Sequence, residues 1–198
     1  MTRDALVEAA KAGDLEEVQR LLDSGVPADC YGGNGVQALT MAAAWGHVEV
    51  IDCLLANGAR PDGSGRGVSP LAGACTTPNI AGVKRMLAAG AKPDQRRNGN
   101  ETLLMSVAIA EAATHKADYL EVGRLLVAAG LDPDQVDADS CSALTRAVFQ
   151  GRAEFVKMLL AAGANPDAGT VDGLTPMRMA EARGLVEIVE LLRSAGAT

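Results

Sequence analysis

Two histidines and four cysteines are the residues of this chain best suited to chemistry, and their spacing supplies little of it. His115 has Glu111 four residues before it and Asp118 three after it. On a helix Glu111 and His115 share one face, as a proton-transfer dyad or as two ligands of a metal. A catalytic zinc takes three protein ligands, and no third is offered. Cys30, Cys53, Cys75 and Cys141 form no Cys-x-x-Cys pair. Cys53 and Cys75, at helical positions, read as small apolar residues, and the compartment reads as reducing. The glycine-rich stretches Tyr31-Gly-Gly-Asn-Gly35 and Gly63-Ser-Gly-Arg-Gly67 lack the fixed spacing of a phosphate loop, and no nucleophile elbow occurs. Catalytic, cofactor and metal residues are therefore all assigned as none, and the chain is read as a non-enzyme.

The elements that carry these residues repeat. A Leu-Leu-like pair, a two-residue spacer and a glycine recur at Gly25, Gly58, Gly90, Gly130, Gly163 and Gly196, at intervals of 33, 32, 40, 33 and 33. A fixed period in this range marks a stacked-repeat architecture. Leu6, Leu39, Leu71, Leu104, Leu144 and Met177 are the apolar anchors of a first helix in each copy. Ala9, Ala42, Ala74, Ala147 and Ala180 let neighbouring first helices approach closely. Val18, Ile51, Val83 and Val156, with the Leu-Leu-like pairs, make the 3.6-period stripe of a second helix. Each closing glycine falls where a helix end needs positive φ, and Pro61, Pro93, Pro133 and Pro166 prevent continuation. No copy can bury its apolar face alone, so the stack forms together.

The second copy, Gly35-Val-Gln-Ala-Leu-Thr-Met-Ala-Ala-Ala-Trp-Gly-His-Val-Glu-Val-Ile-Asp-Cys-Leu-Leu, aligns with Ser142-Ala-Leu-Thr-Arg-Ala147 and with Asp172-Gly-Leu-Thr-Pro-Met-Arg-Met-Ala180. This pattern resembles the ankyrin-repeat family over residues 3–197. The resemblance implies an all-α solenoid of helix-turn-helix units with hairpin tips and a concave face. One domain over 1–198 is expected, with repeats near 3–34, 35–66, 67–98, 99–139, 140–172 and 173–198. The Pro-Asp endings resemble bacterial members more than animal ones. His47, in a Gly-His step opening a second helix, is expected to make a local structural hydrogen bond. No copy carries the family's Thr-Pro-Leu-His in full, and the histidine that ties one turn to the next is missing throughout. Ser69-Pro-Leu-Ala72 and Thr175-Pro-Met-Arg178 come nearest, and Pro78-Asn79 replaces the third Gly-His.

Composition narrows the partners. Aromatics are only 3%, as cores of Ala, Leu and Val require. No apolar run approaches the about 18–20 residues of a membrane helix, and the N-terminus has no apolar leader, so a cytoplasmic chain is expected. A net charge of −7 argues against nucleic acid as a partner. Residues 67–98 carry Lys84, Arg85, Lys92, Arg96 and Arg97 against Asp94, a balance of +4. Residues 99–139 carry eight acids against Lys116 and Arg124, a balance of −6. The two stretches either satisfy each other or form a bipolar surface that orients a partner. Polar residues at both ends, among them Glu8, Lys11, Glu187 and Arg193, suit capping repeats and a domain that stands alone as a monomer.

The 40-residue interval places a seven-residue insertion, Glu111–Ala117, in the fourth copy. It is rich in helix formers, and one added turn on each helix would keep the apolar faces in register. Longer helices meeting near Thr114-His115 are therefore expected.

The resemblance also locates binding. A partner is expected on the concave face, built from turn tips and the exposed sides of first helices. Tyr31, Trp45, Arg66, Thr77, Arg96, Arg97, Phe149 and Gln150 are the candidate contacts, with an acidic flank at Asp137 and Asp139. Trp45 is the only tryptophan, and aromatic and arginine anchors dominate interface energetics. The expected function is a scaffold or adaptor for another protein, without cofactor. The alternative is an inhibitor or immunity protein that plugs a basic toxin or enzyme with its acidic face.

Overall fold

The computed structural model describes residues 2–63, 67–96, 100–110 and 116–198, and the chain divides into two compact units, Met1–Pro93 and Asp94–Thr198. The first unit holds α1 (Thr2–Ala12), α2 (Leu15–Asp23), α3 (Ala38–Trp45), α4 (Val48–Ala56), α5 (Pro70–Thr76) and α6 (Ile80–Ala88). The second holds α7 (Leu103–Ile109), α8 (Lys116–Ala128), α9 (Ala143–Phe149), α10 (Ala153–Ala161), α11 (Pro176–Ala182) and α12 (Val186–Ser194). In each unit three helical hairpins stack, first helix on first helix and second on second. Among the described residues the only β pairing is three isolated antiparallel bridges, Tyr31 with Gln37, Arg96 with Thr102 and Val136 with Ser142.

Local chemistry sets the helix ends. Ser69, Thr102, Ser142 and Thr175 open the first helices α5, α7, α9 and α11, each hydroxyl accepting the N–H three residues on at 3.2–3.3 Å. Asp14 and Asn79 do the same for α2 and α6. The six closing glycines sit at φ of 85–92°, and the residue after each donates its N–H back five residues, as from Ala59 to Leu54. That is the Schellman ending, which a β-carbon would strain. All six anchor side chains, all five small first-helix alanines and Val18, Ile51, Val83 and Val156 are buried. The periodic apolar stripe is thus the core.

The fourth copy departs from expectation. The second helix α8 has 13 residues against nine in α2, α4, α6, α10 and α12, so it gains a turn. The first helix α7 has seven residues, like α5, α9 and α11, so the extra turn expected there is absent. Ala110 is extended, at φ −60° and ψ 117°. The Arg152 Nη1 reaches the carbonyls of Val107 (2.7 Å), Ala108 (3.1 Å) and Ala110 (3.5 Å). The first two are the acceptors that residues 111 and 112 would need if α7 ran on. The expected junction at Thr114-His115, and the Glu111–His115 pair, lie outside the described residues.

Candidate protein-binding surface

The turn tips are tied together by acids. Asp29 accepts the backbone N–H of Arg60 (3.1 Å) and Asp62 that of Lys92 (2.7 Å). In the second unit Asp134 accepts from Asn165 (2.8 Å) and Asp167 from Thr198 (2.9 Å). Each rung spans about one repeat, so the Pro-Asp endings are couplings between copies. Threonine supplies the tie expected to be lost with the family's histidine. Thr40 Oγ1 donates to the Val68 carbonyl (3.2 Å) and Thr145 Oγ1 to that of Ala168 (3.4 Å). His47 makes its own tie, with Nε2 3.1 Å from the Lys11 carbonyl.

In the first unit, Trp45 ends α3 and is 57% exposed. Thr77, at the matching position after α5, is exposed, and its hydroxyl donates to the Ala44 carbonyl at 2.6 Å. Tyr31 sits half-buried at the first tip, in the bridge with Gln37. Arg66 lies outside the described residues.

In the second unit, Phe149 ends α9 and is 58% exposed, with exposed Gln150 beside it. The Arg183 guanidinium stands over the Phe149 ring, 5.1 Å from its centroid. Arg183 after α11 and Gln150 after α9 hold matching positions, each just before the mid-hairpin glycine. Arg183 therefore reaches one repeat back, along the same diagonal that Thr77 follows to Ala44. Arg96 is exposed, and its Nη1 donates to the carbonyls of Asn100 (2.9 Å) and Val136 (3.0 Å), so it braces two tips. Arg97 lies outside the described residues.

The acidic flank needs correction at one residue. Asp139 is exposed, but the Asp137 side chain is only 2% exposed and forms an ion pair with Arg146. It also accepts the N–H groups of Asp139 and Cys141, both at 2.9 Å. Burial works to raise its carboxyl, but the Arg146 guanidinium and these two N–H groups outweigh it and hold it below the usual range. Asp137 therefore builds its turn and presents nothing to a partner. Two more acids of the same stretch are occupied locally, since Asp132 accepts the Asp134 N–H and Glu121 lies 3.7 Å from Arg124. Of the negative balance over 99–139, Arg146 from outside the stretch offsets the charge of Asp137.

A family model for ankyrin repeats in three copies matches residues 6–97 and again 109–198. The chain belongs to the ankyrin-repeat family. Its structure is similar to an ankyrin repeat domain from Acinetobacter baumannii AYE, with a TM-score of 0.83 and 28% identity over 98% of both chains. The human ASB11 ankyrin repeat domain gives 0.79 at 30% identity, covering 99% of this chain and 85% of that one. The ankyrin repeat domain of Bcl-3, a member of the IkappaB protein family, gives 0.82 at 26%, covering 98% and 86%. No curated protein matches the chain.

Within this ankyrin chain the described residues hold no group of three His, Cys, Asp or Glu side chains placed for a metal. None of its described helices is long and apolar enough to cross a membrane. Sequence reasoning passed over Arg183 as a contact, although its alignment with Gln150 was available. It also passed over Arg152, which no motif marks. Arg152 is half-buried over the rings of Tyr119 (5.7 Å) and Phe155 (5.0 Å), and burial lowers its pKa from the ordinary guanidinium value.

Proposed function

We propose that this chain is a protein-protein interaction module, a scaffold or adaptor that holds a partner against the side carrying its turn tips and the ends of its first helices. One observation carries the reading. In a chain with 3% aromatic residues, Trp45 and Phe149 are left 57% and 58% exposed at first-helix ends. Aliphatic side chains such as Val171 and Val186 are exposed too, but it is aromatic side chains that are enriched among interface anchors. That side is the concave one in the family pattern. Tyr31 and Thr77 accompany Trp45 in the first unit, and Arg96, Asp139 and Gln150 accompany Phe149 in the second, as the polar contacts that go with each anchor. A cytoplasmic location agrees with four free cysteines.

Trp45→Ala and Phe149→Ala test the proposal. Each should weaken the partner complex about tenfold or more, as interface anchors do. Because both rings are more than half exposed, the melting temperature should move little. A large loss of stability with unchanged affinity would show that these rings are packing elements and defeat the proposal.

A further inference from the structure

Three arginines near the first-helix ends of the second unit differ in what remains of their charge. Arg146 is neutralised by Asp137. Arg152 is turned inward onto the α7 carbonyls and two rings. Arg183 is exposed, stands over Phe149, and enters no ion pair among the described residues. Arg178, within α11, is also exposed and enters no ion pair among the described residues, against Glu181 as the exposed acid of that helix. A guanidinium held over an aromatic ring has lost part of its rotamer freedom while its N–H donors remain available for hydrogen bonding. The side chain that satisfies such a fork is a carboxylate, bound through two parallel hydrogen bonds. The exposed part of the Phe149 ring offers apolar contact beside it.

We propose that the Phe149–Arg183 stack docks a partner segment that presents an apolar side chain next to a carboxylate, an inference that rests on the protein-binding function above. The net charge of −7 disfavours an acidic partner only at long range. Charges interact within about 8 Å at physiological ionic strength, so the guanidinium decides the contact itself. Glu181, exposed two residues before Arg183, limits how many acids the segment can carry. One carboxylate aimed at Arg183, with apolar or neutral neighbours, fits this charge pattern.

The test is selection of a random 12-residue phage-displayed peptide library on the immobilised full chain, followed by affinities of the enriched peptides made synthetically. Enriched sequences should pair Asp or Glu with a large apolar residue. Arg183→Gln should weaken them about tenfold or more, the scale of a charge-assisted hydrogen bond. Phe149→Ala should do the same, and Arg183→Lys should recover part of the loss. Lys157→Ala, exposed on α10, should change nothing. Peptides rich in Lys and Arg, or acidic peptides that bind Arg183→Gln as well as wild type, would overturn the site while leaving the binding function. Failure to enrich any peptide would count against the binding function itself.

Discussion

Gly82 sits in the first turn of α6, where replacement by alanine should stabilise an ordinary helix by up to about 1 kcal/mol. The structure reverses the sign. A methyl group on Gly82 would stand 2.0 Å from the carbonyl oxygen of Ala43, on α3 of the preceding repeat. The obstacle is backbone, so no rotamer change relieves it, and real contacts of this kind stay beyond 3.0 Å. The start of α6 must therefore retreat by at least the difference of those two distances. A gap of 0.5–1 Å forfeits about a quarter to a half of local dispersion. The side chains at risk are Val83 and Met86, both fully buried and worth about 1.5–3 kcal/mol each. The cap bond from the Gly82 N–H to Asn79 (2.9 Å) is strained as well, at a cost of about 1 kcal/mol. After the helix-propensity gain, Gly82→Ala should lose about 1–3 kcal/mol. That is about 2–4 °C of melting temperature per kcal/mol for a domain of this size. Guanidinium and thermal melts of wild type, Gly82→Ala and Gly123→Ala measure it. In α8 the obstacles to a methyl on Gly123 are side-chain atoms, Met158 Cε and Phe155 Cζ at 2.8 Å, and these can move, so its loss should be smaller. A Gly82→Ala chain as stable as wild type, or more so, would refute the close approach of α6 to α3.

Arg152→Met should cost about 2–4 kcal/mol in a denaturant melt, since it strands the carbonyls of Val107 and Ala108 and removes two ring contacts. Cys75 is buried and its thiol is pushed up to about 12, so iodoacetamide should label it only on unfolding, well after the part-exposed Cys53 and Cys141. Mass spectrometry of timed samples reads the order. Asp137 has a depressed carboxyl in the folded chain, so its contribution is present above the ordinary carboxylate range and lost as pH falls through the lower folded value. Asp137→Asn should be about 1–3 kcal/mol less stable than wild type at neutral pH, and the gap should close in melts taken toward pH 2.

Period and apolar pattern were enough to place the twelve helices of the described residues, because each copy repeats the same burial problem and the copies reinforce one another. Side chains whose partner lies one repeat away were not legible in the same way. Asp137 reads as a surface acid until the turn folds and brings Arg146 against it. Arg152 reads as an ordinary helix-opening residue, yet its guanidinium occupies the carbonyls at the end of α7, 42–45 residues earlier, where α7 would otherwise continue. Thr40 and Thr145 occupy the place of a missing histidine, and only their distances to the next turn show that they do its work. Trp45 and Phe149 were legible as surface residues through the family resemblance, whose pattern places exposed residues just before the mid-hairpin glycine. The Arg183 contact with Phe149 needed the diagonal between repeats, which single-copy alignment does not display.

The central claim is that a partner protein contacts the first-helix ends that carry Trp45 in the first unit and Phe149 in the second. Its most direct test is site-specific photocrosslinking in cells that express the chain, with p-benzoylphenylalanine placed singly at Trp45, Phe149, Lys157 and Glu190. Discrete protein adducts from positions 45 and 149, and none from the second-helix positions 157 and 190, are the predicted result. Adducts from 157 or 190 alone would place the partner on the second helices and contradict the account.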